Sequence, residues 1–94
     1  MTSDIDETFF DRADAMIELA NGQLGETTPG KVSASFMYGA TRFNAFTAAT
    51  NFGTAAEMKA SRDTLIAYFV KQYQSMLEEN IDDFIEQFDS VMYR

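Results

Sequence analysis

The sequence predicts an all-α protein, a three-helix bundle with a long third helix. Apolar residues recur at three- and four-residue steps along most of the chain, which is the pattern of amphipathic helices. Three of the five glycines and the one proline lie within residues 22–30, between two periodic segments. From Lys31 to Glu57 the only other charged residue is Arg42, so a helix there needs cover from several neighbours and is predicted to be central.

The bulk composition favours one small helical domain spanning residues 1–94. Hydrophobic residues make up 46% of the chain, which excludes a disordered polypeptide despite the net charge of -8. The absence of cysteine excludes disulfides, thiolate metal ligands and thiol catalysis. No apolar run approaches the length of a membrane span, and no basic-then-apolar leader is present, so we expect a cytoplasmic protein.

The charge distribution indicates which partners to expect. Both ends of the chain are acidic, whereas the middle is weakly basic. Segments of opposite sign favour pairing within the chain or between subunits, while the overall negative charge repels nucleic acids and anionic lipids. We therefore expect no nucleic-acid or membrane partner. The expected partner is a protein, in the first place a second copy of the chain.

The first helix is predicted to begin at Ser3, a good N-cap residue, with Asp4 and Asp6 in the first turn. Its apolar stripe is followed by Asn21-Gly22, which predicts a left-handed helix stop and a loop over residues 22–30. The stripe comprises Ile5, Phe9, Ala13, Met16 and Ala20.

The second helix is predicted to begin after Thr28, with Pro29 at its first position, and to run to about Asn51. Gly39 lies in its interior, where glycine costs roughly 1 kcal/mol relative to alanine. This position therefore predicts close contact with a neighbouring helix.

The third helix is predicted to begin at a capping box formed by Thr54 and Glu57. Its apolar residues continue to the end of the chain, and Val70, Leu77, Phe84 and Val91 keep a seven-residue step. One long helix from Ala55 to about Met92 is favoured. The alternative is a break at Asn80, where Asn80 and Asp83 would cap a fourth helix.

A continuous third helix would extend beyond its shorter neighbours and leave apolar side chains without cover. We therefore expect a homodimer. Its predicted interface includes Phe84, Phe88 and Met92.

The sequence resembles a family of short bacterial proteins known only as a domain of unknown function. The resemblance rests on FDRADAMIELAN at residues 10–21 and on YGATRFNAF at residues 38–46, and it extends over most of the chain. It implies a small helical protein without an assigned activity, so no site residue is carried over.

Catalytic chemistry is disfavoured, because the chain lacks both histidine and cysteine. No catalytic residue, metal site or cofactor is expected, and the acidic series Glu79, Asp82, Asp83 and Glu86 is interpreted as a solvated or subunit-pairing face. Arg42 is the one charged residue in the otherwise neutral segment between Lys31 and Glu57. It predicts either a structural ion pair or, with Tyr38 and Asn44, a small-anion pocket between aromatic side chains.

The leading hypothesis is a non-catalytic, homo-oligomeric interaction or regulatory module. The alternative is a small-anion binding protein that uses the aromatic interior near Arg42.

Overall fold

The computed structural model describes residues 4–92, with side chains described for residues 4–90. All regular structure in this part of the chain is helical and none of it is strand, which confirms the all-α prediction. In chain order the helices are α1 (Phe9–Gly22), α2 (Pro29–Ala49), α3 (Ala55–Ala60), α4 (Arg62–Glu86) and α5 (Phe88–Met92).

The contacts divide the chain into two compact units, Met1–Thr47 and Ala48–Arg94. The first contains α1 and most of α2, and the second contains α3, α4 and α5. The single domain over residues 1–94 stays a prediction.

The start of α1 differs from the prediction. Ser3 lies outside the described residues, and the chain from residue 4 to Thr8 is not helical. The Thr8 hydroxyl makes no cap hydrogen bond; it accepts a hydrogen bond from Nη1 of Arg12 at 2.7 Å and donates one to Oδ1 of Asp6. Nη2 of Arg12 donates to Oδ1 of Asp6 at 2.9 Å, and this hydrogen bond holds the pKa of Asp6 below its ordinary value. The N-cap of α1, Thr8, therefore lies five residues after the predicted N-cap, within this side-chain network.

The end of α1 lies at Gly22, as predicted, but its geometry is different. No described residue has a positive φ, and Gln23 continues in a right-handed conformation. The N–H groups of Gln23 and Leu24 donate to the carbonyls of Ala20 and Asn21 in tighter i-to-i−3 turns. These turns satisfy the last carbonyls without a left-handed residue.

Helix α2 follows its prediction closely. Pro29 is its first residue, and the N–H of Lys31 donates to the Thr28 hydroxyl at 3.4 Å. The helix ends at Ala49, two residues before the predicted end.

The capping box at the start of α3 is confirmed. The N–H of Glu57 donates to the Thr54 hydroxyl at 3.1 Å, and the Glu57 carboxylate accepts the N–H of Gly53 at 2.9 Å. A Cβ at Gly53 would lie 3.2 Å from the Glu57 carboxylate oxygen, so glycine leaves room for this contact.

The predicted third helix consists of three helical segments. Single residues, Ser61 and Gln87, separate α3 from α4 and α4 from α5. The alternative break at Asn80 is wrong: α4 continues through this residue, whose side-chain amide donates to the carbonyl of Met76 at 2.8 Å. Because that hydrogen bond lies within the helix, Asn80 does not cap a new one.

Within the described residues, the enclosed hydrophobic side chains are those of Val32 and Ala48, both 7% exposed. Many large apolar side chains are exposed instead, including Phe43 and Phe46 of α2. The two units therefore leave much apolar surface uncovered.

Candidate functional site

The second unit carries an ordered row of apolar side chains along α4 and the start of α5. At 100° per residue, the members on α4 lie within roughly 80° of the helix circumference. We call this row the C-terminal apolar face; it consists of Ile66, Val70, Tyr73, Leu77, Ile81, Phe84 and Phe88.

Every member of the C-terminal apolar face is between 43% and 58% exposed. By contrast, Leu65 and Phe69, on an adjacent side of α4, are half-buried. Leu65 and Phe69 are thus more covered than the neighbouring members of the face, whereas Met76, further along the same side of α4, is 44% exposed. Burial depends on which helix lies nearby, which the periodicity of a single helix does not encode.

The acidic residues in the C-terminal half of α4, from Glu78 to Glu86, lie away from the C-terminal apolar face, at roughly 100° or more from its centre. Glu79, Asn80, Asp82, Asp83 and Glu86 line a shallow surface depression. Within residues 4–92 no three acidic side chains are placed to hold a metal ion together. We therefore describe this cluster as the solvated side of an amphipathic helix.

The predicted interface residues fall at the end of this face. Phe84 lies in the last turn of α4 and is exposed, and Phe88 opens α5. Met92 ends α5, but its side chain lies outside the described ones. The geometry adds five members that precede Phe84, and their spacing of three or four residues is the signal that identifies them.

The three residues of the predicted anion pocket do not converge. Tyr38 and Arg42, four residues apart on α2, are both exposed, whereas Asn44 is half-buried and lies about 120° from Tyr38 around the helix. The expected structural ion pair of Arg42 is not formed with any acid of the described chain. The anion pocket stays a prediction.

The first unit contains a separate apolar groove of about 300 Å³ between α1 and α2. This volume is at the lower limit for small-molecule sites. The predicted ligand residues Tyr38, Arg42 and Asn44 are not among its lining residues, which include Met16, Leu19, Ala20, Val32, Phe36 and Gly39.

None of the helices within residues 4–92 combines the length and hydropathy needed to cross a lipid bilayer.

Comparisons with known proteins give a family and a structural relative. The family model described as "Protein of unknown function (DUF3144)" matches residues 9–85. The NMR structure of the protein NB7890A from Shewanella sp is 39% identical, with a TM-score of 0.76, over 94% of each chain. No curated protein matches the sequence. The expected resemblance to a family of unknown function is thereby confirmed.

Proposed function

Because this chain belongs to the DUF3144 family of proteins of unknown function, whose description carries no activity, we propose a function from its geometry: it acts as a non-catalytic, homo-oligomeric interaction or regulatory module. The observation that carries the proposal is the exposed C-terminal apolar face.

The face is suited to binding a second protein surface. Fully burying a side chain of this size contributes about 1.5 to 3 kcal/mol, so covering the exposed half of each member contributes roughly 1 kcal/mol. Seven such side chains in a continuous row form a patch of the kind that marks an interaction site. A second copy of the chain offers the same row and is self-complementary around a two-fold axis.

Non-catalytic function is supported by the kinds of side chain present. The chain contains no histidine and no cysteine. Among the described residues no polar or charged side chain is buried, so none has the desolvated environment that tunes catalytic acids and bases.

We also place the module in the cytoplasm. The absence of cysteine supports this, because small secreted domains are commonly held together by disulfides.

The proposal is tested by adding one negative charge on either side of α4. Phe84→Glu places it within the C-terminal apolar face, and the matched control Gln72→Glu places it on the opposite side of the same helix. Light scattering after size exclusion should give a dimeric mass for the wild type and for Gln72→Glu. Phe84→Glu should be monomeric, with its helical content retained by circular dichroism.

A monomeric wild type overturns the proposal. So does a dimer that Phe84→Glu leaves intact, because the subunits would then associate through another surface.

A further inference from the structure

The C-terminal apolar face has a spacing that is symmetric about its middle member. Its other residues lie four, seven and eleven positions before and after Leu77. Tyr73 and Ile81 form the inner pair, Val70 and Phe84 the next, and Ile66 and Phe88 the outer pair. When the C-terminal apolar face is turned end over end about Leu77, it therefore presents one of its members at every level at which the original face has one.

The charges of the second unit are not symmetric about Leu77. The charges that precede it sum to +1, whereas the residues that follow it up to position 89 include only acidic charges. The preceding charges are Glu57, Lys59, Arg62, Asp63 and Lys71, and the following ones are Glu78, Glu79, Asp82, Asp83, Glu86 and Asp89. Two parallel copies would hold these acidic segments level with each other along the dimer, so six acids without a base would lie beside six more. Two antiparallel copies turned about Leu77 would instead place each acidic segment level with residues 65–76 of the other copy, which contain no acid and one base, Lys71.

We infer that the second copy binds antiparallel, with α4 against α4 and the two Leu77 residues at the two-fold axis. This inference rests on the proposed function and adds the orientation and register of the partner. Residue i of one copy then lies level with residue 154 − i of the other, so Val70 faces Phe84 and Tyr73 faces Ile81. Lys71 lies level with Asp83 of the other copy, inside its acidic segment.

The register can be measured by disulfide formation, because the natural chain has no cysteine to interfere. A disulfide requires Cα atoms within about 7 Å. In the antiparallel register, Val70→Cys faces Phe84→Cys of the other copy. In a parallel dimer these two positions are about 21 Å apart along the helix axis, since fourteen residues separate them and each rises 1.5 Å.

The experiment oxidises full-length single-cysteine variants with glutathione disulfide and weighs the products by mass spectrometry. Leu77→Cys alone should crosslink, because it faces itself in either orientation. An equal mixture of Val70→Cys and Phe84→Cys should form the mixed dimer at least about tenfold over either homodimer. The pair Tyr73→Cys and Ile81→Cys should behave in the same way, and circular dichroism of each variant verifies that it folds.

Two outcomes distinguish a failure of this inference from a failure of the proposed function. If Leu77→Cys crosslinks while Val70→Cys and Phe84→Cys each crosslink with themselves, the dimer is parallel and only the inference is overturned. If Leu77→Cys does not crosslink and the wild type is monomeric, the proposed function fails as well.

Discussion

The carboxylate of Glu57 accepts the backbone N–H of Gly53 at 2.9 Å, one residue before the N–H of Thr54 that a capping box usually engages. The Thr54 hydroxyl accepts the N–H of Glu57 in return. Two N–H groups at the start of α3 are thus satisfied by side chains. These two hydrogen bonds mark the start of α3, which is six residues long and is the first helix of the second unit.

Replacing Thr54 by alanine should destabilise the fold by about 0.5 to 2 kcal/mol, because the N–H of Glu57 loses its acceptor. Urea denaturation measures the change. Thr54→Ser keeps the hydroxyl and should retain most of the stability. Equal stability of the wild type and Thr54→Ala would show that the hydrogen bond contributes nothing to folding.

The network before α1 predicts a pH dependence. The hydrogen bond from Arg12 lowers the pKa of Asp6 in the folded state, so the ionised carboxylate is stabilised by folding. Its contribution is complete above the unfolded pKa of about 3.9 and is lost as the pH falls through the lower folded value. Asp6→Asn should therefore lower the melting temperature slightly at pH 7 and leave it unchanged well below the folded pKa.

The matched control is Asp14→Asn, which removes an exposed carboxylate of α1 that has no ion pair within the described chain. NMR titration of the Asp6 carboxyl gives its folded pKa directly. A midpoint at or above about 3.9 would contradict the role of Arg12.

Local signals in the sequence were sufficient for the helix starts at Pro29 and Ala55, because Thr28 and Thr54 act on N–H groups three residues away. The start of α1 could not be predicted in this way. There, the guanidinium of Arg12, one turn after Thr8, donates hydrogen bonds to the side chains of Thr8 and Asp6. The N-cap propensities of single residues do not take such hydrogen bonds between side chains into account.

The candidate site, too, could be predicted from the sequence only in part. Periodicity identified Phe84 and Phe88 as apolar positions on a common face. It could not separate exposed Ile66 from half-buried Leu65, since that difference depends on tertiary neighbours.

Replacing Gly39 by alanine should stabilise the protein by about 0.5 to 1 kcal/mol. The sequence predicted a close helix contact here, but a Cβ added at Gly39 would meet no described atom within 4 Å apart from the adjoining backbone of α2 itself. Alanine then gains helix propensity without a clash. Chemical denaturation measures the effect, and Ala40→Gly, at the next position of α2, should lose a similar amount. A destabilised Gly39→Ala would show that another surface approaches this position closely.

Arg42→Met should change the free energy of unfolding by no more than about 0.5 kcal/mol, as is usual for exposed positions without a specific partner. Arg42 is exposed and makes no ion pair with a described acid. Val32→Ala, at an enclosed position of the same helix, is the positive control. It should lower the free energy of unfolding because it removes buried apolar atoms. A loss above about 3 kcal/mol for Arg42→Met would indicate a buried, paired guanidinium.

We propose above that this chain associates with itself through the C-terminal apolar face. The most direct test is the mass of the wild-type protein at micromolar concentration, measured by multi-angle light scattering. We expect twice the chain mass of 10.6 kDa. A mass equal to that of one chain would contradict it.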